Sequence, residues 1–237
     1  MNNINLKIIQ GSEQDYPAAD INIVIDVIRA FTVSHVAFIR DVREIFLVNT
    51  TDEAFTLKSK NPAYLLAGEI GGLPIAHFDL DNSPYTFSRA DIENRSLVQK
   101  TSNGVKATLR ALNADTILVT GLSNARMTAL YAKLLAAAKT NCTINIIASH
   151  AGDDDDLACA EYIRDILLDQ NKIQVEDIKA RIINSRPAQK FFDPAKVDFN
   201  PGDMDYCAQE ISCDFVMEVD KNLPVPRIIK RPSPLSA

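Results

Sequence analysis

Carboxylates set among turn-forming residues are the first chemistry this sequence offers. The segment GEIGGLPIAHFDLDNSP (68–84) carries Glu69, Asp79 and Asp81 together with His77, three glycines and two prolines. Glycine and proline fix turn geometries foreign to a regular helix or strand, and acidic oxygens suit a hard cation or proton transfer. Asp26 and Arg29 close the apolar run INIVIDVI (21–28), and four consecutive aspartates occupy 153–156. Asp26, Glu69, Asp79 and one of those four form a candidate ligand set for Mg²⁺, which neutralises phosphate charge and orients water. Arg29 could clamp a phosphate or sulfonate bidentately, or pair with Asp26.

Two turns add a second kind of chemistry. TSNG (Thr101, Ser102, Asn103, Gly104) and GLSN (ending in Ser123 and Asn124) each lead from an apolar run into a helical pattern. Backbone N–H groups and the positive helix end there could hold a phosphate, although Ser and Asn are also ordinary helix caps. No P-loop and no GxGxxG occurs. His35 reads as a core or subsurface residue of AFTVSHVAFI, while His77 and His150 lie in loops next to the carboxylates.

The elements that must position these groups alternate. Apolar runs at 4–10, 21–28, 44–49, 63–69, 96–101, 116–121, 143–149 and 213–219 are separated, for the most part, by segments of helical period at 29–40, 52–60, 104–112, 124–139 and 154–169. That pattern predicts an α/β fold, three-layer α/β/α, with a mostly parallel or mixed sheet, followed by short helices after Asn171. In such sheets ligands bind beyond the carboxyl ends of the strands, where nearly all the polar residues above fall. IDVIRAFTVSHVAFIRDVREIFLVN and VQKTSNGVKATLRALNADTILVTG echo one another, so two related halves remain open. No linker interrupts residues 1–237, which read as one domain.

Composition narrows the partners. The chain of 237 residues is 46% hydrophobic with a net charge of −6, and its one basic cluster, Arg227, Lys230 and Arg231, lies in a Pro-rich tail. Nucleic acid is therefore not expected. No apolar run approaches the length of a membrane span and the first residues lack a signal-peptide core, so no membrane association and a cytoplasmic location are expected. The four cysteines lack metal-ligand spacing and read as reduced thiols. A homo-oligomer stays open.

DLDNS (79–83) matches the DxDx[ST] signature of haloacid-dehalogenase-type phosphatases, in which Asp79 would be the nucleophile. That chemistry needs the first aspartate at the end of a buried strand, and the preceding GGLPIAHF does not read as one.

A different resemblance runs through nearly the whole chain. IVIDVIRAFT, AGEIGGLPIAHFDLDNSP, KTSNGVKATL, TGLSNA and DDDLACAEYI, followed by FDPAKVDF, DMDYC and VDKNLPVPRI, resemble the successive motifs of the 2-phosphosulfolactate phosphatase family. The resemblance implies a Mg²⁺-dependent phosphatase on a three-layer α/β fold. It would convert 2-phosphosulfolactate to sulfolactate in coenzyme M biosynthesis, with a small phosphorylated anionic metabolite as partner. It places functional weight on Asp26, Arg29, Glu69, Asp79, Asn82, Ser83, Thr101, Asn103, Gly104, Asn124 and Asp156. This chain departs from the family's usual Gly at Asp81 and Glu161, from its Thr at Val105, and from its Pro-Gly at Ala76-His77. A second reading is a non-catalytic protein that binds anionic metabolites in the same cleft.

Overall fold

The computed structural model of the chain describes residues 3–234. β1 (Asn3–Gln10), β2 (Ala19–Ile25), α1 (Ala30–Ile39), β3 (Glu44–Leu47), α2 (Thr51–Lys60) and β4 (Leu65–Ile70) come first. The turn-rich segment contains the short β5 (Leu73–Pro74) and α3 (Pro84–Phe87). It leads to β6 (Ser96–Lys100), α4 (Gly104–Arg110), β7 (Ala114–Thr120), α5 (Ala125–Ala137), β8 (Asn141–Ala148) and α6 (Asp154–Leu167). The short helices expected after Asn171 are α7 (Val175–Asn184), α8 (Arg186–Gln189) and α9 (Asp203–Cys207), and the hairpin of β9 (Phe215–Asp220) and β10 (Arg227–Pro232) follows.

These strands form one mixed sheet in the order β1-β8-β2-β7-β9-β10-β3-β6-β4-β5. β1, β8, β2 and β7 are mutually parallel, as are β3, β6 and β4. The joins β7–β9, β9–β10 and β10–β3 are all antiparallel, so the two parallel sets run in opposite directions. The segment read as a Pro-rich tail is therefore the bridge between them. Ile228 of β10 is buried there, and Arg227 pairs with Glu44 and Asp220 on the neighbouring strands.

Each set is apolar on both faces, which is why its central strand reads as a near-continuous hydrophobic run. Ile21, Ile23 and Ile25 of β2 pack in one core with Ala129 of α5 and Ile163 of α6, whereas Val24 points into a second core with Phe31 of α1 and Val105 of α4. On β6, Leu97 enters that same second core and Val98 packs with Ala54 of α2. α1 and α4 thus lie in a core shared by both sets. The chain passes from the first set to the second through α1 and returns through α4. The two echoing sequence segments are these two crossings.

Burial of α1 on nearly every face has a pH consequence. His35 is fully buried, with Nδ1 2.9 Å from Ser123 Oγ, and burial pushes its pKa down to about 3. The unfolded chain takes up this proton near pH 6.5 and the folded chain does not. His35 therefore withdraws stability as pH falls from about 6.5 to about 3, at up to about 1.4 kcal/mol per pH unit. Urea unfolding at pH 7 and pH 5 should show a larger loss in the wild type than in His35→Gln. The difference between the two is the readout, because the carboxylates described below titrate with the opposite sign. No helix among the described residues is long and apolar enough to cross a membrane.

Candidate active site

Four loops that follow strands, those after β2, β4, β6 and β8, open onto one cleft of about 330 Å³. Asp26 and Arg29 enter it from the first loop, Glu69 and Gly72 from the second, Ser102 and Asn103 from the third, and Ser149, His150 and Asp153 from the fourth. Asp155 and Asp156 come from the first turn of α6, Asn82 from the turn before α3, and Arg186 and Lys190 from α8 and the residue after it. Asp26, Glu69 and Asn103, far apart in sequence, thus share one surface.

Backbone N–H groups at the helix starts fix the carboxylates. Asp26 accepts from Ala30 N at 2.9 Å and from Gly104 N at 2.8 Å, and so holds the first turns of α1 and α4 together. Two further bonds mirror each other across the cleft. Asp156 accepts from Val27 N in the loop before α1, and Glu69 accepts from Ser102 N in the loop before α4. Asp156 also takes Ser149 Oγ and His150 N, and Glu69 takes Gly72 N and Ser102 Oγ. Thr101 Oγ1 accepts from Val105 N. The TSNG turn therefore gives the Ser102 and Gly104 N–H groups to Glu69 and Asp26, and its Thr101 hydroxyl takes Val105 N. Those three N–H groups are thus not available to cradle a phosphate, a correction to the expectation for Ser102 and Gly104.

The glycine of that turn is fixed by this packing. A Cβ on Gly104 would stand 2.6 Å from Asp26 Oδ2 and 2.8 Å from Asp26 Cβ. Gly104→Ala should lower stability by about 1–3 kcal/mol and weaken activity with it, because Asp26 must move. An unchanged urea midpoint and turnover would show that Asp26 can withdraw freely.

One wall of the cleft is acidic and desolvated. Burial, against the bonds from Ala30 and Gly104, and the neighbouring Glu69 push Asp26 up to about 6. Burial and the charge of Asp26 push Asp155 up to about 7, and burial with Asp155 and Asp26 nearby raises Asp156 well above the usual carboxylate range. Asp155 Oδ1 and Asn82 Oδ1 are buried with no hydrogen-bond partner. Of the four consecutive aspartates the cleft takes three rather than one. Asp154 alone turns away, to Arg181, while Asp153 pairs with Arg186, which lowers its pKa.

Arg29, Arg186 and Lys190 bring cations to the same cleft. Arg29 does not pair with Asp26. Its Nη1 lies 2.8 Å from Asp203 of α9, fully buried, and its Nη2 donates to Gly72 O. Ser83 Oγ donates to the same aspartate and caps α3 through Thr86 N, so Ser83 supports Arg29 from behind the cleft.

Six predicted residues do not line the cleft: Ser83, Thr101 and Gly104, which brace it from behind as described above, and Asp79, Ser123 and Asn124. Asp79 is bound to Lys58 Nζ and Leu66 N, which hold its pKa down against partial burial. It does not line the cleft, and this removes both the ligand and the nucleophile reading. Ser123 and Asn124 line a separate pocket with Arg126 and Glu210. Ser123 meets His35, and Asn124 is bound to Thr120, Gly121 and Thr128. The GLSN turn is thus hydrogen-bonded within the fold and does not reach the cleft, correcting the expectation that it cradles the phosphate there. Asp155, Arg186, Lys190 and Asp203 were not singled out from sequence.

Comparison with known proteins bears out the resemblance. The family model described as 2-phosphosulpholactate phosphatase matches residues 7–222. A probable 2-phosphosulfolactate phosphatase of Bacillus subtilis (strain 168) is 50% identical over 223 residues, covering 94% of this chain and 97% of that protein. Proteins of the same description from Carboxydothermus hydrogenoformans and Deinococcus radiodurans are 29% and 36% identical, covering 83% and 70% of this chain and 84% and 68% of their own lengths. The departures noted above avoid the cleft lining. Asp81 receives Ser83 N, Val105 is core, Glu161 pairs with Arg181, and His77 takes a left-handed φ of 65° that suits the usual glycine. The chain belongs to the 2-phosphosulpholactate phosphatase family.

Proposed function

We propose that this protein is a phosphoric monoester hydrolase that converts 2-phosphosulfolactate to sulfolactate and phosphate, with Mg²⁺ as its cofactor. The observation that carries the reading is the gathering of desolvated carboxylates and cations in a single cleft, in a chain of this family. A phosphate ester bearing further anionic groups needs both: cations for its oxygens, and a site for the metal that offsets the phosphoryl charge.

The donor set suits Mg²⁺ in one particular way. Among the described residues no three acidic, histidine or cysteine side chains form a metal-binding group. Mg²⁺ commonly keeps several waters and takes only one or two carboxylates plus substrate phosphate oxygens. Asp155, with its unpartnered buried oxygen, and Asn82 are the residues left open to such an ion. Asp26, Asp156 and Glu69 would supply negative charge behind them. Bound there, the ion would polarise the phosphoryl group and activate water.

This chain's own residues would do the remaining work. Arg29, fixed by Asp203 and Gly72 O, would present its remaining donors to the phosphoryl oxygens as charge builds up. Asn103 would orient the ester from the loop after β6. Location in the cytoplasm and a place in coenzyme M biosynthesis are part of this proposal and rest on the family resemblance.

The test is phosphate release from 2-phosphosulfolactate by the folded protein, with Mg²⁺ and with a chelator. Release that depends on Mg²⁺ supports the reading. No release under either condition would remove it, and release indifferent to the chelator would remove the metal.

A further inference from the structure

Two like charges in the cleft share one pair of aromatic rings. The Arg29 guanidinium carbon lies 5.1 Å from the centre of Phe191 and 5.6 Å from that of Phe199, and Lys190 Nζ lies 5.6 Å and 4.5 Å from the same two centres. The rings pack edge to face, 5.4 Å apart. An aromatic face attracts a cation by about 0.5–2 kcal/mol. It holds the charge without neutralising it.

The two cations differ in what balances them. Arg29 has Asp203, whereas the Lys190 ammonium makes no hydrogen bond or ion pair of its own among the described residues. It is partly desolvated, and burial with Arg29 beside it lowers its pKa against the more distant pull of Glu69, Asp155 and Asp26. Gly72 keeps the space in front of it open. At φ 87°, it has no Cβ, which would stand 2.9 Å from Lys190 Nζ and 3.2 Å from the Phe199 ring.

A partly desolvated ammonium with no carboxylate in contact, beside a second cation, is the complement of an anion that arrives with the ligand. The phosphoryl group belongs near Arg29 and the acidic wall. A guanidinium fork matches carboxylate and phosphate bidentately, which leaves the compact point charge of the ammonium for the third anionic group, the sulfonate. Resting on the hydrolase reading above, we propose that Lys190, held with Arg29 on the Phe191–Phe199 pair, is the specificity-determining residue that receives the substrate's sulfonate.

The test compares Lys190→Met and Lys190→Arg with the wild type on 2-phosphosulfolactate and on 2-phospholactate, which lacks only the sulfonate. Lys190→Met should lose at least tenfold more kcat/KM on the first substrate than on the second, mainly through KM, and Lys190→Arg should recover most of that difference. Equal losses on both substrates, or none on either, would overturn the assignment. Calorimetric titration with sulfolactate separates this proposal from the hydrolase reading. Binding at least tenfold weaker in Lys190→Met, in a wild type that releases no phosphate, would keep the sulfonate site and remove the phosphatase. Unaltered sulfolactate binding in an active enzyme would do the reverse.

Discussion

Asp155→Asn is expected to move activity and stability in opposite directions. Asp155 contributes an unpartnered buried oxygen to the acidic wall, and its carboxyl is pushed up to about 7 by burial and by Asp26. Removing the charge should reduce phosphate release by about 10²–10³-fold, the scale seen when one preorganised polar group is lost. The sign of the stability change follows from linkage. A carboxyl with a folded pKa above its unfolded value of 3.8 imposes nothing below about pH 4, then loses stability progressively as pH rises through about 7. The metal-free asparagine variant should therefore be more stable than the wild type by about 1–3 kcal/mol at pH 8 and nearly equal to it at pH 4. Urea unfolding at those two pH values checks the sign. Lower stability at pH 8 would mean that the charge is compensated in the fold, and full activity would remove Asp155 from the site.

The second large effect concerns the pair of Arg29 and Asp203. Arg29→Met leaves Asp203 buried and without its cation, which for a buried pair costs about 3–5 kcal/mol. Ser83 Oγ and Tyr85 N still donate to Asp203, so the neutral isostere can keep those bonds. Adding Asp203→Asn to Arg29→Met should restore most of the lost thermal stability while phosphate release stays low. Recovery of both together would show that Arg29 serves the fold alone. Recovery of neither would show that the stacking over Phe191 and Phe199 matters more than the charge.

Much of this was legible in the sequence, and the exceptions share a physical cause. β2, β4, β6 and β8 announce themselves because each is buried on both faces, and Asp26, Glu69, Ser102 and Asn103 follow from standing where such strands end. β10 is hidden because RIIKRP is half charged. It earns its place in the sheet through pairings with β9 and β3, remote or invisible in sequence. TSNG and GLSN are equivalent as strings. They part company because Ile211 N binds Ser123 O over the second, whereas the first opens onto the cleft. Asp155 and Asp156 occupy the same helical turn, and periodicity cannot separate a cleft-facing oxygen from one taken up by backbone. Lys190 and Asp203 come from the irregular segment after Asn171, where no strand end points to a site.

The antiparallel β9–β10 bridge also bears on how the molecule can come apart. Residues 44–100 sit as an insert between strands of the first parallel set, tied to it by two helices in a common interior and by a hairpin from much later in the chain. Neither portion can be excised, swapped for a homologous piece or melted ahead of the other without stripping the other's floor. Calorimetry should register one transition, with the catalytic groups vanishing at the same temperature as the sheet.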